Sequence, residues 1–341
     1  MTILKSNLMI RYIFLLIITG IIGVSIGSVD IPPDIVLRIL VAKILPWLDT
    51  SDITEIQQII VWSIRVPRVL VAALVGASLA IAGVQMQGLF QNPLASPGIV
   101  GTSSGGALGA VIALASGLAS YSMFYIPIFA SVGALLALFI VYMLATQNGK
   151  TPVATLLLAG IALNALIAAI TSLIITVAWV EHDVAREIVF WLMGGIDNRT
   201  WVHVWIALPG ILTGVGLALF YTRELDILLM GTETAYSLGI EVEQVQRIIL
   251  FSTALLTGTA VAISGVVGFV GLIIPHIVRL IIGPKHSYLI PLSAVTGAVF
   301  LILVDLLART INSPSEIRLG ILTAILGAPF FLYLLRNRSQ L

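Results

Sequence analysis

The 81 residues from Val69 to Gly149 contain no Asp, Glu, Lys or Arg. A stretch of that length cannot be wrapped in a polar shell. The remaining composition agrees: 59% of the 341 residues are hydrophobic and 10% are charged, where a soluble chain carries about 25%. With a mean hydropathy of +1.12, the chain is expected to be an integral membrane protein. Its length is then counted in spans of about 20 residues. The apolar runs are continuous, which favours helices over barrel strands that alternate across about 10 residues.

Uncharged tracts set the span count. Tyr12 to Val29 holds one span; Lys5 and Arg11 precede it as in a signal peptide, but the run is too long for an h-region and is expected to be retained. Val69 to Gly149 holds three, broken at Gln91-Asn92-Pro93 and around Ser120 to Ser122. Thr151 to Val180 and Trp201 to Thr222 hold the fifth and sixth, and Tyr288 to Ala308 and Leu319 to Leu335 hold one each. Ile248 to Gly283 could hold one long span or two short ones. Basic residues at both ends, Lys5 and Arg11 against Arg336 and Arg338, place both termini in the cytoplasm. That parity requires ten spans and splits Ile248 to Gly283 near Ser264-Gly265, with Pro275 inside a short span. The expected fold is all-α and polytopic, one transmembrane domain over residues 1–341.

This topology puts nine basic residues inside (Lys5, Arg11, Lys150, Arg223, Arg247, Arg279, Lys285, Arg336, Arg338) and eight outside (Arg38, Lys43, Arg65, Arg68, Arg186, Arg199, Arg309, Arg318), a weak positive-inside bias. Arg65, Arg68 and Arg309 sit at the outer ends of spans two and nine. Either an acidic partner reaches them there, or they snorkel to lipid phosphate or cap a helix. A faint repeat accompanies the count. Gly83-Val84, Gly88-Leu89 and Pro93 echo Gly265-Val266, Gly271-Leu272 and Pro275, which would relate spans 2–5 to spans 7–10 as inverted halves of a transporter.

Energy-transducing chemistry is scarce. Asn148-Gly149-Lys150-Thr151 ends like a phosphate-binding loop, but Leu144 stands where that motif needs Gly. Without a nucleotide-binding motif the chain is not expected to be an enzyme, and an ATP-driven reading needs a separate ATPase. The competing reading is a proton-coupled transporter using Asp305, the one carboxylate inside an expected span. Arg309 follows four residues later, so a neutralised i,i+4 pair is favoured instead. His182, His203, His276 and His286 are scattered without ligand spacing, and His276 reads as a hydrogen-bonding residue near a helix end. The chain has no cysteine, which removes thiolate metal sites and thiol catalysis. No metal or other cofactor is expected. A net charge of +1 gives no reason to expect nucleic acid; the lipid bilayer is the expected surrounding. The one long inner loop, residues 223–247, reads RELDILLMGTETAYSLGIEVEQVQR, with a short helix expected over Thr232 to Leu238, Thr232 as its N-cap and Gly239 at its C-cap.

Five segments carry a family resemblance: RVPR at Arg65 to Arg68, GVQMQGLFQNPLASPGIVGTSSGGALGA at Gly83 to Ala110, FWLMGG at Phe190 to Gly195, GFVGLIIPHIVRL at Gly268 to Leu280 and LGAPFFLYLL at Leu326 to Leu335. In family order over nearly the whole chain, they resemble the BtuC-like, or FecCD, permeases of ABC importers for iron-siderophores, haem and cobalamin. The resemblance implies ten helices per subunit and a functional dimer, with an identical or paralogous permease. It also implies two cytoplasmic ATP-binding subunits, an extracytoplasmic substrate-binding protein and a place in the cytoplasmic (inner) membrane. Arg65, Arg68 and Arg309 match outer arginines that receive glutamates of the binding protein. Gly231, Ala235, Leu238 and Gly239 match the coupling helices that seat in the ATPase, and Pro93, Gly98, Pro275, His276 and Arg279 fall in the structural and translocation motifs. Ferric siderophore is the expected cargo, with haem, cobalamin or molybdate as alternatives.

Overall fold

A computed structural model describes residues 2–27, 29–45, 47, 51–178, 182–313 and 315–336. Val180, the expected end of the fifth span, and the C-terminal Arg338 lie outside them. Among the described residues the chain is helical, with no strand beyond an isolated Gln147–Lys150 bridge. That bridge is a two-residue Asn-Gly turn, with Asn148 and Gly149 both at positive φ. This geometry joins two antiparallel elements and is no phosphate cradle.

The helices run α1 (Thr2–Ser25), α2 (Pro33–Ile44), α3 (Glu55–Leu89), α4 (Thr102–Ala115), α5 (Tyr125–Ala145), α6 (Val153–Ala178), α7 (His182–Leu192) and α8 (Trp201–Phe220). Beyond these come α9 (Thr222–Leu228), α10 (Thr232–Ser237), α11 (Val242–Ser264), α12 (Val270–Ile282), α13 (His286–Thr310) and α14 (Leu319–Arg336). Seven of them, α1, α3, α5, α6, α8, α11 and α13, are long and apolar enough to cross a bilayer, and α4, α12 and α14 supply shorter apolar segments. A helix satisfies its own backbone, which is what hydrocarbon demands of a spanning segment.

The breaks fall where turn-forming residues stand. The Gln91-Asn92-Pro93 turn ends α3, and Gly265, at φ +66°, ends α11 and separates it from the Pro275-bearing α12. Several boundaries differ from the expectation: α1 begins at Thr2 rather than Tyr12 and ends at Ser25, and α11 begins at Val242 rather than Ile248. Span two starts at Glu55 rather than Val69, because Arg65 and Arg68 find partners inside the protein and so do not interrupt the helix. Gly231, not Thr232, caps α10. The amphipathic helices α2 and α7 were not anticipated by a count of uncharged tracts.

Three helices, α3, α11 and α13, make up the centre; α1 and α6 are the most exposed. Helix pairings recur in two sets: α3 packs on α13 as α11 packs on α5, α4 on α5 as α12 on α13, and α3 on α12 as α11 on α4. Each set maps onto the other when α3, α4 and α5 are exchanged for α11, α12 and α13, as a repeat requires. Lipid offers no hydrophobic drive for helix association, so close backbone approach is the means of packing. A Cβ on Gly83 would lie 1.8 Å from the carbonyl oxygen of Gly271. Polar links reinforce the centre: Gln85 of α3 donates through Nε2 to Ser252 Oγ of α11 at 2.9 Å, and Ser252 donates to the Gly214 carbonyl of α8 at 2.9 Å.

Candidate functional site

Polar side chains collect at the two ends of the antiparallel pair α3 and α13. At one end, the helix register of α3 shifts through a π-type turn over Ile60–Arg65, a feature that often marks functional positions. It turns Arg65 toward the C-terminus of α1, whose last carbonyls lack intrahelical partners. Arg65 Nη1 donates to the carbonyls of Val24 at 3.0 Å and Ser25 at 2.6 Å, and Nη2 donates to that of Val29. Arg309 of α13 does the same, donating through Nη1 to the Ile26 carbonyl at 2.9 Å and through Nη2 to that of Gly23. Both guanidinium groups thus cap α1.

Arg68 stands between two carboxylates. Its Nε and Nη2 donate to Asp305 Oδ1 at 3.0 and 2.8 Å, while Nη1 and Nη2 form a fork on Glu316, both at 2.8 Å. Asp305 is 1% exposed and also lies 3.5 Å from Arg309 Nε, the expected i,i+4 pair. Glu316 is 37% exposed and is the outward carboxylate of the cluster. Arg68 and Arg309 therefore meet carboxylates while Arg65 meets carbonyls, and Arg68 is the one held by side chains alone. Nothing in the sequence marked Glu316 or the Arg68–Asp305 pairing, because 237 residues separate that pair along the chain.

At the other end lies the loop of residues 223–247, built around α9 and α10. Gly239 takes φ +79°, donates its N–H to the Tyr236 carbonyl at 3.0 Å, and leaves Ile240 to donate to the Ala235 carbonyl at 3.0 Å. This double closure is a Schellman motif, which needs a left-handed residue at that point. Ala235 is fully buried beneath the helix, while Leu238 and Met230 are exposed. The loop is tied to the bundle twice. Asp226 Oδ1 accepts from His286 N at 2.8 Å and from its Nδ1 at 2.7 Å, joining α9 to the start of α13. Burial pushes the Asp226 carboxyl up, but the His286 hydrogen bonds outweigh it and hold the group below the usual carboxylate range. Gln91 Nε2 donates to the Leu228 carbonyl at 2.6 Å.

The remaining expected positions separate. Pro93, His276 and Arg279 line one small cavity beside Leu229 of the loop. Gly98 lies elsewhere, under α6, its carbonyl accepting from Asn164 Nδ2 at 3.0 Å. Pro275 lies within α12. His276 is 3% exposed, yet neither ring nitrogen has a hydrogen-bond partner, contrary to the expectation that it bonds near a helix end.

Residues 15–337 match the FecCD transport family. The chain is 46% identical over 287 residues to the cobalamin import system permease protein BtuC of Halobacterium salinarum, covering 84% of this chain and 76% of that protein. It is 38% identical over 339 residues to the Fe(3+)-citrate import system permease protein YfmD of Bacillus subtilis, covering 99% and 97%. Among solved structures, one described as an inward-facing conformation of a metal-chelate type ABC transporter superposes with a TM-score of 0.85 at 31% identity, covering 97% of this chain and 99% of that one.

Proposed function

We propose that this chain, which belongs to the FecCD transport family and is the permease subunit of an ABC importer, carries a ferric chelate across the cytoplasmic membrane. Permeases of this kind are not themselves enzymes, so a separate ATPase supplies the energy. The observation that carries the reading is the separation of the two polar ends. From His286 to Asp305, α13 rises roughly 30 Å, the thickness of the hydrocarbon core. The arginine cluster therefore sits at one bilayer face and the α9–α10 loop at the other.

The proposed assembly has two such permeases, two ATP-binding subunits against the loops and a binding protein over the arginine rim, with both termini in the cytoplasm. In this reading the exposed face of α10 and Leu238 seat in the ATPase. Its movement reaches α13 through Asp226 and His286, and reaches α3 through Gln91. At the outer rim Arg65 and Arg309 hold α1, and Arg68 presents the fork now closed by Glu316. A docking carboxylate takes up that fork. Such pairs are each worth about 0–1 kcal/mol and so orient the encounter rather than hold it.

The Fe(3+)-citrate relative, matched over 99% of this chain, supports the iron-chelate reading. Cobalamin is the second reading, supported by the 46% identity to the cobalamin permease. The test is a charge reversal with rescue: Arg68→Glu should abolish uptake, and Lys in place of the partnering carboxylate on the binding protein should restore it. Full uptake by Arg68→Glu with the unaltered binding protein would refute the docking role.

A further inference from the structure

At the loop end of the bundle a cavity of about 300 Å3 opens between the end of α3, the turn after it, the end of α9 and the last turns of α12. It is at the small end of ligand sites, sized for a headgroup rather than a chelate. Gln87, Asn92, Leu229, His276, Arg279 and Pro284 line it.

Its polar groups are unusually short of partners. Gln87 is 1% exposed; its Nε2 donates to the Leu272 carbonyl at 3.1 Å, and its Oε1 has no partner. His276, nine-tenths buried and more, has two unpartnered ring nitrogens. Asn92 is exposed at the rim, where its Oδ1 accepts from the Leu94 N–H at 2.9 Å. Arg279 is half-buried, and among the described residues no carboxylate or hydrogen-bond partner meets its guanidinium. Arg65, Arg68, Arg309 and Arg318 are each engaged by carbonyls or carboxylates; Arg279 stands apart from them.

Buried polar groups are normally satisfied, so the unpartnered atoms of Gln87 and His276, with the charge of Arg279 and the rim amide of Asn92 beside them, describe what would complete the cavity. A guanidinium donates only, and so does the Asn92 amide nitrogen; they call for an oxyanion. Gln87 Oε1 accepts only and calls for a hydroxyl, and His276 can complete either side. We propose that this cavity binds a hydroxyl-bearing phosphate oxyanion, with Arg279 as its charge partner and Gln87, Asn92 and His276 as its hydrogen-bond partners. Two sources share that chemistry: the headgroup of an anionic lipid such as phosphatidylglycerol, and free hydrogen phosphate. Basic pockets between spanning helices recognise lipid headgroups in this way, and exposed Leu280 and Ile281 beside the cavity offer an apolar path for acyl chains. Bound there, the oxyanion would pin α12 to the α3 turn and to the loop end of α9.

The test uses the assembled permease–ATPase complex. Native mass spectrometry after exchange into mixed phosphatidylglycerol and phosphatidylcholine reads the lipid source; thermal stability of delipidated complex titrated with inorganic phosphate reads the free ion. Selective retention of phosphatidylglycerol, reduced about fivefold in Arg279→Gln, the worth of one cation at the surface, and largely kept in Arg279→Lys, supports the lipid source. Stabilisation by phosphate that Arg279→Gln removes, without lipid selectivity, supports the free ion. Should Arg279→Gln fail to assemble, Asn92→Ala at the rim should weaken the same signal. Equal retention of both lipids with no response to phosphate overturns the proposal, as does unchanged anion binding in the variants.

Discussion

Asp305→Asn separates a structural carboxylate from a proton carrier. Asp305 is 1% exposed and serves Arg68 at 2.8 Å and Arg309 at 3.5 Å. Removing one partner of a buried ion pair costs about 3–5 kcal/mol. Arg68 keeps its fork on Glu316, Arg309 keeps two α1 carbonyls, and Asn keeps an acceptor for Arg68 Nε, so the loss should fall at the low end, about 3 kcal/mol. The assay is a double-mutant cycle on the detergent-purified complex, with Asp305→Asn, Arg68→Gln and both together, read by denaturant unfolding. Residues in direct contact should show coupling of about 0.5–3 kcal/mol, with the double variant regaining part of what Asp305→Asn loses. Uptake per folded complex should stay ATP-dependent. Additive losses, or a stable Asp305→Asn variant that has lost uptake alone, would refute the counter-ion role and favour proton coupling.

Gly83→Ala forces a methyl group against the Gly271 backbone, which cannot yield as a side chain would; a loss of about 3 kcal/mol or more is expected in the same unfolding assay. Gly216→Ala in α8, with nothing within 4 Å of its added Cβ, should show no loss. Gly239→Asn should retain ATPase co-purification because Asn tolerates the left-handed conformation, Gly239→Ala should weaken it by about 1–2 kcal/mol, and Gly239→Pro, which also removes the N–H to Tyr236, should abolish it.

Much of the architecture was legible because hydrocarbon imposes a simple rule. Uncharged tracts bounded by Gly, Pro and charge became helices, and the Ser264-Gly265 break fell where the parity of basic termini required. Charge at a tract's edge did not end the helix: α1 starts at Thr2 ahead of Lys5 and Arg11, α11 starts at Val242 ahead of Arg247, and α3 extends back to Glu55 past Arg65 and Arg68. Their burial depends on the α1 carbonyls and on Asp305, contacts of 36 to 237 residues' separation that no local pattern encodes. The weak positive-inside bias has the same origin. Six of the eight basic residues assigned outside, Arg38, Arg65, Arg68, Arg199, Arg309 and Arg318, bond to carboxylates or carbonyls of this chain. Such charges are settled by folding, and a rule about loop charge does not count them well. Gly239 was readable because helix termination is local; Asp226 with His286, and the unpartnered His276, were not, since each depends on a neighbour from another helix.

In the proposed importer a separate ATPase drives this permease and an external protein loads it. Proteoliposomes holding the chain with its cognate ATPase test it directly, with ATP inside and labelled cargo outside. Uptake should require both internal ATP and the external binding protein and should survive a protonophore. Uptake by the chain alone, driven by a proton gradient and indifferent to ATP, would contradict the account.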